Sequence, residues 1–246
     1  MLSGVDLLIA LTIILVGATV MGTLGFGLGL VTVPVLMLLV DPQSVVVIVN
    51  GSIAVLMLLV LLQARRHLDL RLAGGMALGG LAATPIGVLA LDAANPTILR
   101  LTIALVIMVL AVLSLFRVPL PFAHKRLAGP VLGFLAALSV TTLSVGGPLV
   151  AIYAVNRGWS PAVMRASLAF YFLVFESGAL LLYALSGLAD REDAGNIAIL
   201  LPAVLAGFAL AVVLVGRMNA PLYRYAVIVV IISGGVILLG REIAGL

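Results

Sequence analysis

Gly22-Thr-Leu-Gly25-Phe-Gly27-Leu-Gly29-Leu-Val-Thr-Val-Pro34 lies inside an apolar run that covers 6–40. A membrane helix needs about 20 mostly apolar residues. The run is too long for one helix, and its centre is the wrong chemistry for one. Glycine gains little from helical order, and proline lacks the N–H that continues the ladder. The stretch therefore predicts a helix that stops inside the bilayer and restarts. Broken backbone at that depth is tolerated only where protein or a water-filled cavity satisfies it.

A second run, 127–155, is overlong in the same way and is interrupted by Ser144-Val-Gly146-Gly147-Pro148. Six further runs have ordinary spanning length: 44–62, 72–91, 97–116, 163–189, 197–216 and 222–240. Gly75-x-x-x-Gly79 and Gly129-x-x-x-Gly133 read as close helix packing through small residues. The whole chain agrees with these spans. It has 246 residues, of which 64% are hydrophobic and 9% charged, with a mean hydropathy of +1.38. Soluble domains carry about 25% charged residues, so a soluble fold is excluded. Thirteen Lys/Arg against nine Asp/Glu are scattered rather than clustered, which excludes nucleic acid as a partner.

The chain has no cysteine and two histidines, His67 and His124, far apart in sequence. No metal site, cofactor motif or catalytic constellation is expected from such a set. Gly25-Phe-Gly27-Leu-Gly29 is not a dinucleotide fingerprint, because no strand precedes it. No cleavable signal peptide is expected, since the first apolar run has no basic segment before it.

Sliding the chain along itself by 119 residues superposes the two breaks. Thr23 meets Thr142, Gly27 meets Gly146 and Pro42 meets Pro161. Asp41-Pro42 and Ser160-Pro161 each read as an N-cap followed by proline at the first helical position. Pro96 meets Pro221 at 125, which places an insertion in a polar loop around Asp190–Asn196. The expected architecture is all-α and polytopic, with repeats 1–119 and 120–246 in one membrane domain. Each repeat is a broken, re-entrant helix pair plus three transmembrane helices.

The charges decide the orientation of the repeats. If each broken element turns back to its own side, ten Lys/Arg face Arg100, Arg191 and Arg241 across the membrane; a single crossing gives eight against five. The positive-inside rule prefers the first arrangement, and an odd number of crossings per repeat makes the halves inverted. Duplicated halves of this kind are common in secondary transporters.

Half-helix N-termini meeting near the midplane suit an anion, through unpaired N–H groups and the positive dipole end. The expected substrate-binding set is Thr23, Gly25, Gly27, Gly29, Asn50, Thr142, Ser144, Gly146, Gly147 and Arg165. For each hydroxyl taken alone, a bond back to its own helix is the simpler reading. Thr141 is a further hydroxyl donor, Tyr153 and Tyr171 are weaker candidates, and Trp159 and Tyr223 read as interface anchors. Arg165 has two readings, an anionic partner or snorkelling to the interface. Glu176 is the one carboxylate near the centre of a span. A charge there is costly and suggests function by default, here the carriage of a coupling proton. A neutral acid bonded within the bundle is the competing reading.

The motifs Gly22–Pro34 and Ser144-Val-Gly-Gly-Pro-Leu149, with Gly158-Trp-Ser-Pro-Ala-Val-Met-Arg165-Ala, resemble those of the TauE/SafE sulfite exporter family. Leu28 interrupts the glycine run of the first motif, and Pro148 follows only two glycines in the second. The resemblance implies a multi-pass transporter of the plasma (inner) membrane for small sulfur-containing anions such as sulfite or organosulfonates. Its partners are then the anion and the lipid bilayer, with homo-oligomerisation left open. A passive anion channel and a non-transporting accessory subunit are the alternatives, and the paired breaks weigh against the accessory subunit.

Overall fold

In the computed structural model, which describes residues 2–115, 123, 125 and 127–217, all regular structure among the described residues is helical. The run 222–240, with Pro221, Tyr223, Arg224 and Arg241, lies outside them, as do Arg117, His124 and Arg126. The helices are α1 (Gly4–Leu24), α2 (Leu28–Leu36), α3 (Pro42–Ala64), α4 (Leu70–Asp92), α5 (Pro96–Leu115), α6 (Ala128–Leu143), α7 (Gly147–Asn156), α8 (Pro161–Ser186) and α9 (Arg191–Val215). Among the described residues, α1, α3, α4, α8 and α9 are long and apolar enough to cross a membrane. The fold is that of an all-α polytopic membrane protein.

Both expected breaks are present. α1 stops at Gly25, whose φ is 88° and whose N–H donates to the Met21 carbonyl at 2.7 Å; α2 starts after Gly27, with φ 110°. α6 stops at Ser144, with φ 55° and its N–H on the Val140 carbonyl at 2.7 Å; α7 starts after Gly146. Left-handed backbone at a helix C-cap is glycine's usual place. Ser144 is the only non-glycine residue with positive φ among the described residues.

The two proline-led helix starts also form as expected. The Asp41 carboxylate accepts from the N–H of Gln43 and Ser44, both at 3.1 Å, and the Ser160 hydroxyl accepts from Val163 at 3.4 Å. The polar stretch 190–196 departs from expectation. It is helical from Arg191, because Asp190 and Asp193 close a reciprocal capping box that satisfies the first turn of α9.

Side-chain contacts fix the direction of each element. At one end of the bundle, the Leu2 N–H donates to Asn196 Oδ1 at 3.0 Å. Asp193 bonds Ser44 there, and Gln43 Nε2 reaches the Leu91 carbonyl at 2.9 Å. The starts of α1, α3 and α9 and the end of α4 therefore share that end, so the α1–α2 segment turns back to where it began. At the opposite end, Gly79 of α4 abuts Pro130 of α6, and Gly133 abuts Met76. Arg165 near the start of α8 bonds Gln63 near the end of α3. The α6–α7 segment thus starts from and returns to the opposite end.

Two parallel seams hold the bundle, and α3 and α8 cross between them antiparallel. Along α4 and α6, a Cβ on Gly79 would strike the Pro130 carbonyl oxygen, and one on Gly133 the Met76 backbone. Along α1 and α9, a Cβ on Gly207 would lie 2.8 Å from the Leu15 carbonyl, and one on Gly22 2.8 Å from Ala211 Cβ. Backbones this close gain dispersion contacts that lipid tails cannot match.

Candidate functional site

The two breaks meet. Gly29, in the first turn of α2, lies against the carbonyl of Ser144, and a Cβ on Gly147, at the start of α7, would sit 2.8 Å from Phe26 Cβ. Between them is a cavity of about 10 Å³, room for about one water. Ile53 and Phe172, from the middle of α3 and α8, line it as well.

Ten of the thirteen lining residues fall into pairs 119 residues apart. These are Met21 with Val140, Gly27 with Gly146, Leu28 with Gly147, Gly29 with Pro148, and Ile53 with Phe172. Helix geometry leaves the first N–H groups of α2 and α7 without partners in their own helices. They lie beside this cavity with the positive ends of both short dipoles. Among the described residues, Ser144 is the only polar side chain lining it. The arrangement suits a small anion whose charge meets backbone dipoles and whose remaining surface meets apolar walls.

Of the expected binding residues, Gly27, Gly29, Ser144, Gly146 and Gly147 line the cavity. Thr23, Gly25, Asn50, Thr142 and Arg165 do not, and each has another place. The Thr23 hydroxyl bonds back to the Thr19 carbonyl at 2.6 Å. Thr142 reaches the Gly87 carbonyl on α4 at 3.2 Å. Gly25 caps α1. Arg165 is buried, with Nε on the Gly22 carbonyl at 2.5 Å and a second nitrogen on Gln63. A guanidinium there satisfies a last-turn carbonyl of α1 and faces the negative end of its dipole.

Asn50 is buried behind the second break. Its amide donates to Tyr183 Oη at 2.9 Å and to the Val140 carbonyl at 3.2 Å, and its Oδ1 accepts from Ser144 Oγ at 2.9 Å. Tyr183 in turn donates to the Thr141 carbonyl. The Thr141 hydroxyl is buried with no hydrogen-bond partner.

Glu176 is fully buried on α8, and neither carboxyl oxygen has a hydrogen-bond partner. It stands four residues beyond Phe172, hence one turn along the same helix face. Tyr171 and Tyr183 lie within its electrostatic reach. Tyr171 donates to the Gly133 carbonyl at 2.7 Å. Tyr153 and Trp159 stack edge to face with centroids 5.8 Å apart, away from the cavity. His67 is exposed in the turn Arg65–His67 between α3 and α4.

Residue-by-residue reading missed the apolar walls and Tyr183. The offset of 119 could have found Met21 with Val140 and Ile53 with Phe172 as paired neighbours of the breaks. Nothing in the sequence marks Tyr183, whose counterpart is Ala64.

No curated protein and no solved structure shows significant similarity to the chain. A family model described as sulfite exporter TauE/SafE matches residues 9–238. With that match over nearly its whole length, a polytopic helical bundle and two breaks on one cavity, the chain belongs to the TauE/SafE sulfite exporter family of membrane transporters.

Proposed function

We propose that this protein is a secondary transporter of the plasma membrane that moves a small sulfur-containing anion, sulfite or an organosulfonate, by alternating access. Repeats 1–119 and 120–246 are its inverted halves, and the anion binds where the two breaks meet. The carrying observation is the shared cavity, whose walls pair residue for residue at an offset of 119 across the two breaks. The opposite turn-back directions of α1–α2 and α6–α7 support the inverted reading. Charge supports it too. Arg65, Arg66, Arg71, Lys125, Arg157, Arg165 and Arg217 fall towards one end, and Arg100 and Arg191 towards the other. The richer end is cytoplasmic under the positive-inside rule.

A cavity with room for about one water holds no sulfite until its walls part. That suits a site exposed in turn to each side rather than a standing pore. Glu176, one turn from the cavity wall, is the proton-coupling group in this reading. A carboxyl without partners in an apolar interior pays heavily for charge.

Counterflow into proteoliposomes tests the function. Vesicles loaded with unlabelled sulfite should transiently accumulate labelled sulfite above equilibrium. Uptake that only equilibrates marks a passive channel and removes the transporter. Sulfite, thiosulfate, sulfoacetate, sulfate and carboxylates as competitors then rank the substrate. Glu176→Gln should abolish uptake driven by a pH gradient while leaving counterflow in place. Proton dependence equal to wild type would remove Glu176 from coupling.

A further inference from the structure

In their polar groups the two breaks differ at two positions, and the differences are complementary. Gly29 carries a backbone N–H beside the cavity; its counterpart, Pro148, has none. Gly25 has no side chain; its counterpart, Ser144, lines the cavity and carries a hydroxyl. The second break lacks a backbone donor where the first has one, and it carries the only polar side chain among the lining residues.

That hydroxyl is held from behind by a chain of bonds. Ser144 Oγ is 2.9 Å from Asn50 Oδ1 and 3.2 Å from the Val46 carbonyl. The Asn50 amide spends its donors on Tyr183 Oη and the Val140 carbonyl. Tyr183 spends its one proton on the Thr141 carbonyl. Asn50 and Tyr183 are buried and do not line the cavity. Every donor in the chain is committed, and the serine proton, given to Asn50 Oδ1, is the one that a hydroxyl rotation redirects.

We infer that Ser144 is the specificity-determining donor of the anion site, standing in for the N–H that Pro148 lacks, and that Asn50 and Tyr183 are the positioning residues that set its hydroxyl while the site is empty. The inference rests on the transporter reading above. With an oxyanion in the cavity, the serine proton turns from Asn50 Oδ1 to an anion oxygen, because a bond to a charged acceptor is the stronger one. The anion is then held by backbone N–H groups of α2 on one side and by a placed hydroxyl on the other. Tyr183 acts from behind, by fixing the amide against which the serine is set.

The test measures sulfite uptake by proteoliposomes of wild type, Ser144→Gly, Tyr183→Phe and the double variant, with KM and maximal rate resolved. Ser144→Gly introduces the residue that the first break already uses at this position, so the backbone keeps its shape. It should raise KM about tenfold at a maximal rate within about twofold of wild type. Tyr183→Phe should raise KM in the same direction. The double variant should be no worse than Ser144→Gly alone, because Tyr183 acts only through the serine. An unchanged KM in Ser144→Gly, or effects that multiply in the double variant, overturns the inference. If Tyr183→Phe does not assemble, Asn50→Ala takes its place in the same cycle, and an unchanged KM in Ser144→Gly remains decisive. Wild-type protein that takes up sulfite while the variants match it sinks this inference alone. Wild-type protein that takes up no anion withdraws both this inference and the transporter reading.

Discussion

The two breaks solve one problem with different chemistry. Each leaves last-turn carbonyls of a helix inside the bundle, where an unsatisfied group costs several kcal/mol. Both use matching positions. The carbonyls of Met21 and Val140 take the N–H of the left-handed C-cap, and those of Gly22 and Thr141 take a side-chain donor. At the first break the donor is a guanidinium from the start of α8, Arg165; at the second it is a phenol near the end of the same helix, Tyr183. The caps differ as well, with Gly25 at one and Ser144 at the other. A repeated backbone thus demands donors at fixed places but does not dictate which side chains bring them.

Filling the contact between the breaks damages both at once. Gly29→Ala puts a Cβ into the Ser144 carbonyl, which is backbone and cannot swing away. We expect a loss of about 3 kcal/mol or more, read as a lowered thermal midpoint in detergent. A midpoint within a degree of wild type would mean that the breaks do not touch as described. Next in size is Arg165→Met, which keeps the stem and removes the donors to Gly22 and Gln63. It should cost about 2–3 kcal/mol. Tyr183→Phe, the matching change at the second break, removes a neutral donor and should cost about 1–2 kcal/mol. If the two costs were reversed, the ionic cap would not be the stronger of the pair.

The smallest effects come from exchanging the caps. Gly25→Ser forces a side chain into φ 88°, with Leu168 Cδ1 already 3.4 Å from the Cβ position, and should cost about 1–2 kcal/mol. Ser144→Gly relieves a similar strain and loses a hydrogen bond of similar size, so its stability should stay within about 1 kcal/mol of wild type. A large loss there would assign Ser144 a structural role beyond its cap.

Much of the fold was legible because membrane spans announce themselves by length and apolarity. Breaks do so by glycine in a run too long for one helix. Asp41-Pro42 and Ser160-Pro161 were legible because capping is local chemistry within four residues. The start of α9 was misread for the opposite reason, since Asp190, Glu192 and Asp193 look like a loop until the capping box is seen. Half of the expected binding set lines the cavity: the break residues themselves. Thr23, Thr142, Asn50 and Arg165 were chosen as polar residues near the breaks. Thr23 bonds back to its own helix at Thr19, the simpler reading of a helix hydroxyl, whereas the carbonyls of Gly87, Val140 and Gly22 that Thr142, Asn50 and Arg165 reach lie on other elements, where a sequence does not place them.

The sequence by itself determined the membrane class, the two breaks, the offset of 119 and the isolation of Glu176. Each follows from composition or from spacing along the chain. Only the tertiary structure decided that the breaks share one cavity and that Arg165 braces α1. It also decided that Tyr183 reaches Ser144 through Asn50. Those facts depend on which backbone faces come together across α3 and α8, and that is set by packing between residues 94 to 143 positions apart.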